Sequence, residues 1–221
     1  LNVNLRCGAR VLMELGSFPA RDFEALFQGV YALPWENYIP RDGEFPVKGY
    51  SLNSQLHSVP ACQSIVKKAS AKRLGEKYGV ETLPESGSRY QIQFSIIKDV
   101  ATLYLDTSGE GLYKRGYRAK NMGAPLRETL AAALVTLSRY RGKDPFCDPF
   151  CGSGTIPIEA ALIAKNRAPG LDRSFAAQRW KNMDSKLWLE AGDEAMDKEF
   201  HGYYDIWGGD IDPAAVELAR H

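Results

Sequence analysis

The chain has 221 residues, of which 44% are hydrophobic and 25% are charged, and its formal net charge is +1. This is ordinary globular composition, and the length suits two modest domains or one large one. No apolar run approaches the roughly 20 residues of a membrane span, and residues 1–10 do not resemble a signal peptide. We therefore expect a cytoplasmic protein that does not enter a membrane.

The first half alternates helices and strands. Phe23, Leu26, Phe27 and Val30 lie on one face of a predicted helix that Asp22 can cap. Residues 34–56 predict turns and one strand around 45–50. A second helix is predicted over 60–78, with Ser58 as its cap and Gly79 at its end, followed by a hairpin over 90–105 that turns at Lys98-Asp99. This order is typical of a small α+β domain.

The second half begins with a glycine-rich stretch at 107–125 and a predicted helix over 125–140, with Leu130, Leu134 and Leu137 in register. A short strand at 146–148, a glycine turn, a helix from Ile156, a strand near 204–209 and a helix from Pro213 follow. This succession predicts the first part of a doubly wound α/β sheet.

Charge is distributed unevenly along the chain. Residues 107–142 hold seven basic and two acidic side chains, whereas residues 143–221 hold nine basic and fourteen acidic ones. A local basic stretch can follow a phosphate backbone, although a solvated linker has the same composition. Two groups are therefore candidate RNA contacts: Lys67, Lys68, Lys72 and Arg73 on the second helix, and Lys114, Arg115 and Arg118 in the basic stretch.

The four cysteines do not form a disulfide framework or a zinc site. Cys147 and Cys151 lie four residues apart, but no further Cys or His lies nearby in the sequence. We expect reduced thiols and no metal.

The glycine turn is the most informative segment. It occupies the carboxyl end of the first predicted strand of the α/β region, where such sheets bind ligands. It lacks the third glycine of a dinucleotide fingerprint and the lysine of a phosphate-binding loop, so a nucleoside ligand with an amino-acid group and no phosphate fits better. The candidate contacts are Asp148, Pro149, Phe150, Cys151, Gly152, Ser153, Gly154 and Thr155.

The second predicted strand of this region ends at Asp210-Ile211-Asp212, which are also cofactor candidates. An acidic side chain at this position can accept hydrogen bonds from both ribose hydroxyls. Asp210 is the better candidate because it directly follows the strand, whereas Asp212 is expected to cap the next helix. A purely structural role in a turn and a cap is the alternative for both.

The segment Asp-Pro-Phe-Cys-Gly-Ser-Gly-Thr at 148–155 resembles the S-adenosylmethionine motif of amino-group methyltransferases. The chain is most similar to the THUMP-domain RNA methyltransferases related to the bacterial 23S rRNA guanine-N2 enzymes, whose members are often catalogued as N6-adenine-specific DNA methylases. The resemblance covers nearly the whole chain and extends to residues 45–47, 56–60, 63–68, 106–109, 114–118, 124–126, 128–134, 168–171 and 173–175.

This resemblance implies a layout and a chemistry. Residues 1–106 would be a THUMP-like RNA-binding region lacking most of the piece that precedes it in the family, 107–125 a basic linker, and 126–221 the first part of a Rossmann-like class I methyltransferase domain. The cofactor would be S-adenosyl-L-methionine, with Leu126, Glu128 and Thr129 as further contacts. The substrate would be RNA, most specifically guanine N2 of large-subunit rRNA.

The sequence departs from the family in one respect. No Asn-Pro-Pro-Tyr type motif, which holds the target base in the family, occurs in these 221 residues. We therefore name no catalytic residue and expect the chain as given to be truncated and inactive.

Three alternatives to RNA methylation are open. A DNA adenine methylase shares the cofactor motif, but the THUMP-like half argues against it. A non-catalytic RNA-binding module would fit the missing motif. A nucleotide hydrolase is disfavoured because the P-loop lysine is absent. The oligomeric state is open.

Overall fold

A computed structural model describes residues 1–118 and 125–220. The chain forms two compact units. The four-stranded unit comprises Val11–Gly109 and Phe175–Asp184, and the glycine-loop unit comprises Leu1–Arg10, Glu110–Ser174 and Ser185–His221. Each unit is thus built from separate stretches of sequence, whereas the predicted regions 1–106, 107–125 and 126–221 are continuous. Residues 119–124 of the predicted linker, with Lys120 among them, lie outside the described residues.

The four-stranded unit has an α+β architecture. Its elements are β1 (Leu12–Pro19), α1 (Phe23–Ala32), β2 (Val47–Leu52), α2 (Val59–Tyr78), β3 (Ile92–Ile97) and β4 (Val100–Asp106), with 3-10 turns at Trp35–Asn37 and Ala176–Arg179. The sheet order is β1-β4-β3-β2, in which only β2 and β3 pair in parallel. Its core includes the fully buried side chains Trp35, Phe45, Tyr90 and Phe94.

Local sequence explains most of these elements, and the predicted helices and hairpin are confirmed. The Asp22 carboxylate accepts a 2.7 Å hydrogen bond from the amide of Ala25 and so caps α1. Gly79 ends α2 with a left-handed φ of +64°. Strand β1 is an element that the sequence prediction lacked; its side chains alternate between exposed and half-buried, and its pairing with β4 is irregular between Glu14 and Gly16.

The glycine-loop unit combines helices with a two-stranded parallel sheet. Its elements are α3 (Glu128–Leu137), β5 (Phe146–Asp148), α4 (Thr155–Ala164), α5 (Ser185–Asp197), β6 (Ile206–Gly208) and α6 (Pro213–Ala219). Strands β5 and β6 pair in register from Phe146 opposite Ile206 to Asp148 opposite Gly208. Their carboxyl ends therefore lie side by side, and a loop leaves each of them.

The helix predicted over 125–140 is confirmed as α3. In the structure of these residues its in-register leucines (Leu130, Leu134 and Leu137) are exposed, and the face that packs against α4 consists of Ala131, Ala132 and Val135. Small side chains on that face allow α3 to pack closely against α4, where Val135 joins a core cluster with Ala160. Helix α5 was not predicted. In the described ranges, no helix is both long and apolar enough to cross a membrane.

Candidate cofactor site and basic surface

The loop between β5 and α4, residues 149–154 (the glycine loop), is shaped by two left-handed glycines. Gly152 has a φ of +53° and Gly154 a φ of +80°, a region that side chains other than glycine rarely adopt. A Cβ added at Gly152 would meet no atom within 4 Å. Among the described residues, the protein thus leaves the space beside this backbone open to a ligand.

Backbone hydrogen bonds fasten the glycine loop to the end of β6. The amide of Cys151 donates to the carbonyl of Gly209 at 2.7 Å, and the amide of Gly209 donates to the carbonyl of Asp148 at 2.9 Å. The Asp148 carboxylate accepts from the amide of Phe150 at 3.1 Å. The glycine loop and the loop that follows β6, which both contain predicted cofactor contacts, are therefore hydrogen-bonded to each other.

Asp210 provides the side-chain link between these loops. Its Oδ2 accepts from the amide of Gly152 at 2.8 Å and its Oδ1 from the amide of Asp212 at 3.0 Å. The amides of Asp212 and Gly152 lower the pKa of Asp210. Each carboxylate oxygen keeps a further lone pair, so the group could still accept hydrogen bonds from two ribose hydroxyls.

Asp212 has the capping role expected of it. Its Oδ1 accepts a 2.9 Å hydrogen bond from the amide of Ala214, at the first turn of α6. The neighbouring Ile211 is 100% exposed, and Phe150 of the glycine loop is 86% exposed. Both side chains belong to the loops that follow β5 and β6, so both lie at the edge of the sheet where the two strands end.

Cys151 contributes to the glycine loop through packing. It is buried, and burial raises the pKa of its thiol. A Cβ added at Gly208 would lie 3.1 Å from its sulfur. The side chain therefore fills space against β6, whereas its backbone takes part in the loop.

Arg118 occupies a position in the glycine-loop unit that its charge alone did not predict. Its Nε donates to Glu128 Oε1 at 3.0 Å, and its two terminal nitrogens donate to Ser153 Oγ at 2.7 Å and Thr155 Oγ1 at 2.6 Å. Glu128 is the first residue of α3 and is buried, while Leu126 and Thr129, the other predicted contacts of that region, are half-buried. The structure thus connects Glu128 to the glycine loop through Arg118.

Arg115 lies in a buried cluster with Glu159 of α4. Its guanidinium contacts both oxygens of Glu159 at 3.1 and 3.3 Å, and the Tyr117 hydroxyl lies 3.3 Å from Glu159 Oε1. Burial raises the pKa of Glu159, opposed by its hydrogen bond with Arg115, and burial also raises the pKa of Tyr117. Arg115 is 3% exposed. It is therefore not available to a phosphate group, which removes it from the candidate RNA contacts.

The remaining basic candidates differ in how firmly other side chains hold them. On α2, Lys67 pairs with Glu85 at 2.6 Å and lies over the Phe45 ring, and Arg73 pairs with Glu36 at 2.6 Å. Lys68 is exposed, and Lys72 Nζ lies 3.9 Å from Glu76 Oε1 and 5.5 Å from the centroid of the Tyr31 ring.

A groove of about 510 Å³ runs beside α2 and includes Lys68 and Lys72 in its lining, together with Glu76, Glu81 and Glu85. Lys114, in the other unit, forms an exposed pair with Glu110. Of the candidate cations, Lys68 and Lys72 are therefore the least firmly held by acidic side chains, and a phosphate backbone could contact both.

Two family profiles match the chain. Residues 20–106 match the THUMP domain, and residues 115–221 match the methyltransferase domain described as UPF0020, RMKL-like. The chain is 45% identical over 222 residues to YpsC of Bacillus subtilis strain 168, whose name describes a candidate RNA methyltransferase. The alignment covers 99% of this chain and 58% of YpsC, so the chain spans little more than half the length of that relative.

Solved structures show the same similarity. A Listeria monocytogenes protein described as a predicted N6-adenine-specific DNA methylase is 49% identical with a TM-score of 0.94, over 99% of this chain and 58% of that one. SMU.472, a candidate methyltransferase solved with SAH, is 45% identical with a TM-score of 0.92, over 99% and 59%. TrmN of Thermus thermophilus, at 22% identity and a TM-score of 0.64 over 98% and 53%, shares the fold.

Proposed function

We propose that this chain, which joins a THUMP domain to a methyltransferase domain of the UPF0020 family, binds S-adenosylmethionine at its glycine loop and belongs to an enzyme that methylates RNA. The observation that carries the proposal is the open, left-handed backbone at Gly152, held by the carboxylate of Asp210. A relative that was solved with SAH, the demethylated product of this cofactor, supports the same ligand.

The residues of the site fit the parts of that cofactor. Asp210 has lone pairs left for the ribose hydroxyls, and Gly152 lets the backbone approach closely. Exposed Phe150 and Ile211 offer apolar surface for a purine ring. The Asp148 carboxylate complements an ammonium group.

When bound, the cofactor supplies a methyl group on a sulfonium, which an amine can take up by in-line displacement. The chain contributes by holding and orienting one reactant, which is where much of the rate enhancement of such a transfer arises. Because no Asn-Pro-Pro-Tyr type motif occurs in the 221 residues, we assign no residue to the methyl acceptor.

RNA is the proposed partner, and large-subunit rRNA with guanine N2 as the acceptor is the specific proposal. The THUMP match, the name of YpsC and the exposed lysines of α2 support RNA. The description of the Listeria relative favours N6-adenine of DNA as a second candidate.

Methyl transfer from radiolabelled S-adenosylmethionine decides between these acceptors. The full-length protein is incubated with ribosomal RNA lacking its natural modifications, with duplex DNA of mixed sequence, or with neither. We expect label in RNA only, and nuclease digestion then identifies the labelled base as N2-methylguanine. Label in duplex DNA on adenine would support the second candidate, and label in neither would contradict both.

A further inference from the structure

The segment 114–118, Lys-Arg-Gly-Tyr-Arg, is basic in sequence but mostly packed inside the glycine-loop unit. Lys114 and Gly116 are exposed, whereas Arg115 is buried and Tyr117 and Arg118 are half-buried. At Gly116 the φ is +106°, and a Cβ would lie 2.2 Å from the carbonyl oxygen of Asp172, so any other residue would force the chain to move. The arginines on either side of this glycine each contact an acidic side chain of a helix next to the glycine loop.

Arg118 joins three pieces of the unit through one planar group. It contacts Glu128 at the start of α3, Ser153 in the glycine loop and Thr155 at the start of α4. Its side chain is only 14% exposed. A guanidinium holds its donors on three nitrogens in one rigid plane, whereas the three donors of a lysine all lie on one freely rotating ammonium.

The direction of these hydrogen bonds determines whether each hydroxyl still has a donor to offer to a further partner. A guanidinium only donates, so the oxygens of Ser153 and Thr155 must accept, and the proton of each hydroxyl is directed elsewhere. Thr155 is buried, whereas Ser153 is half-buried and follows the open backbone of Gly152. The Ser153 proton is therefore available to an acceptor that lies beside the glycine loop.

We propose that Arg118 is a positioning residue of the cofactor site, which fixes Ser153 so that its hydroxyl donates to the carboxylate of the cofactor's amino-acid group. The inference rests on the proposed function, because it requires the cofactor to lie along the glycine loop. Glu128 then acts through Arg118: its carboxylate balances the charge and holds the guanidinium in place.

A pair of ligands separates this role from general support of the fold. S-adenosylhomocysteine carries the amino-acid carboxylate, and 5′-methylthioadenosine keeps the nucleoside but lacks that group. In calorimetric titrations of the full-length protein, Arg118→Met should weaken S-adenosylhomocysteine about 10- to 100-fold, the effect of losing charge-assisted hydrogen bonds. Its affinity for 5′-methylthioadenosine should not change. Arg118→Lys should behave like Arg118→Met, and Lys114→Met should match the wild type with both ligands.

Each outcome has a separate meaning. A wild-type protein that binds neither ligand would overturn the proposed function and the inference together. Wild-type binding with unchanged affinity in Arg118→Met, or an equal loss of both ligands, would overturn the inference alone. If Arg118→Met does not fold, Ser153→Ala must show the same selective loss of S-adenosylhomocysteine, and wild-type affinity in that variant would overturn the inference.

Discussion

The carboxylate of Asp210 accepts a 2.8 Å hydrogen bond from the backbone amide of Gly152, although 58 residues separate the two in sequence. The same carboxylate therefore has two functions in the proposed site. It holds the glycine loop beside the end of β6, and its remaining lone pairs are left for the ribose hydroxyls of the proposed ligand.

Asp210→Ala should weaken S-adenosylhomocysteine roughly 10- to 100-fold in a calorimetric titration, because hydrogen bonds to the carboxylate are lost together with its hold on the loop. Asp212→Ala is the matched control, because it removes the cap of α6. It should lower the thermal stability, and it should reduce the affinity less than Asp210→Ala does. A larger loss of affinity in Asp212→Ala would show that the two aspartates have the opposite roles.

Gly152 permits a test in which the protein itself has room for the new side chain. Gly152→Asn places a residue that tolerates left-handed φ in a position where a Cβ meets no atom of the described residues within 4 Å. We expect the fold to survive at a cost of about 1 kcal/mol, while calorimetry detects no cofactor binding because the side chain occupies the ligand's space.

Gly79→Asn supplies the control for that substitution. Gly79 ends α2 with a φ of +64°, and a Cβ there likewise meets no atom within 4 Å in the described part of the chain. The two variants should lose similar stability, but only Gly152→Asn should lose the cofactor. Unchanged affinity in Gly152→Asn would remove the glycine loop from the binding site.

The sequence predicted the helices and hairpin of the four-stranded unit and the order of β5, α4, β6 and α6, because each has a local signal such as a cap, a turn or a glycine. It did not predict that Arg115 and Arg118 turn inward. Their partners Glu159 and Glu128 lie 44 and 10 residues away, and a basic run has the same appearance whether it faces phosphate or buried carboxylates.

The α3 helix shows a different limit. The spacing of its leucines identifies an apolar face but not what covers that face, and a second face, made of Ala131, Ala132 and Val135, packs against α4. Small side chains allow that close packing, which a scale of hydrophobicity does not register. Cofactor candidates taken from the β5 and β6 loops, by contrast, lie together because parallel strands end at the same edge.

The exposed lysines of α2 should account for the salt dependence of RNA binding. In binding assays over a range of salt concentrations, Lys68→Gln and Lys72→Gln should each flatten the slope of log K against log salt by about one unit per lost phosphate contact. Arg73→Gln should change the slope less, since Glu36 already holds its guanidinium. Lys98→Gln, at the exposed turn between β3 and β4, is the control. A slope equal to wild type in both Lys68→Gln and Lys72→Gln would contradict an RNA-binding surface on α2.

The Arg73–Glu36 pair should instead appear in the pH dependence of stability. The hydrogen bond from Arg73 lowers the pKa of Glu36 in the folded protein. Its stabilising effect is therefore complete above the unfolded pKa, about 4.3, and is lost as the pH falls through the lower folded value. Glu36→Gln should lower Tm by a constant amount near neutral pH, and this difference from wild type should shrink below about pH 4. Exposed Glu81→Gln should match wild type throughout, and a Glu36→Gln difference that grows on acidification would contradict the pairing.

Trp180 lies 74 residues beyond the end of the THUMP match yet belongs to the core of the four-stranded unit. Its ring stacks on Tyr90 with centroids 5.1 Å apart, and its Nε1 donates to the carbonyl of Arg89 at 3.0 Å. Trp180→Ala should therefore cost about 3–5 kcal/mol of unfolding free energy, as loss of a buried aromatic does, and Trp180→Phe should cost less because a ring remains.

Hydrogen exchange should locate the effect of Trp180→Ala, with faster exchange at the β3 and β4 amides. Trp207→Ala is the control at a 65% exposed tryptophan. Wild-type exchange at β3 and β4 in Trp180→Ala would mean that segment 175–184 does not stabilise the sheet.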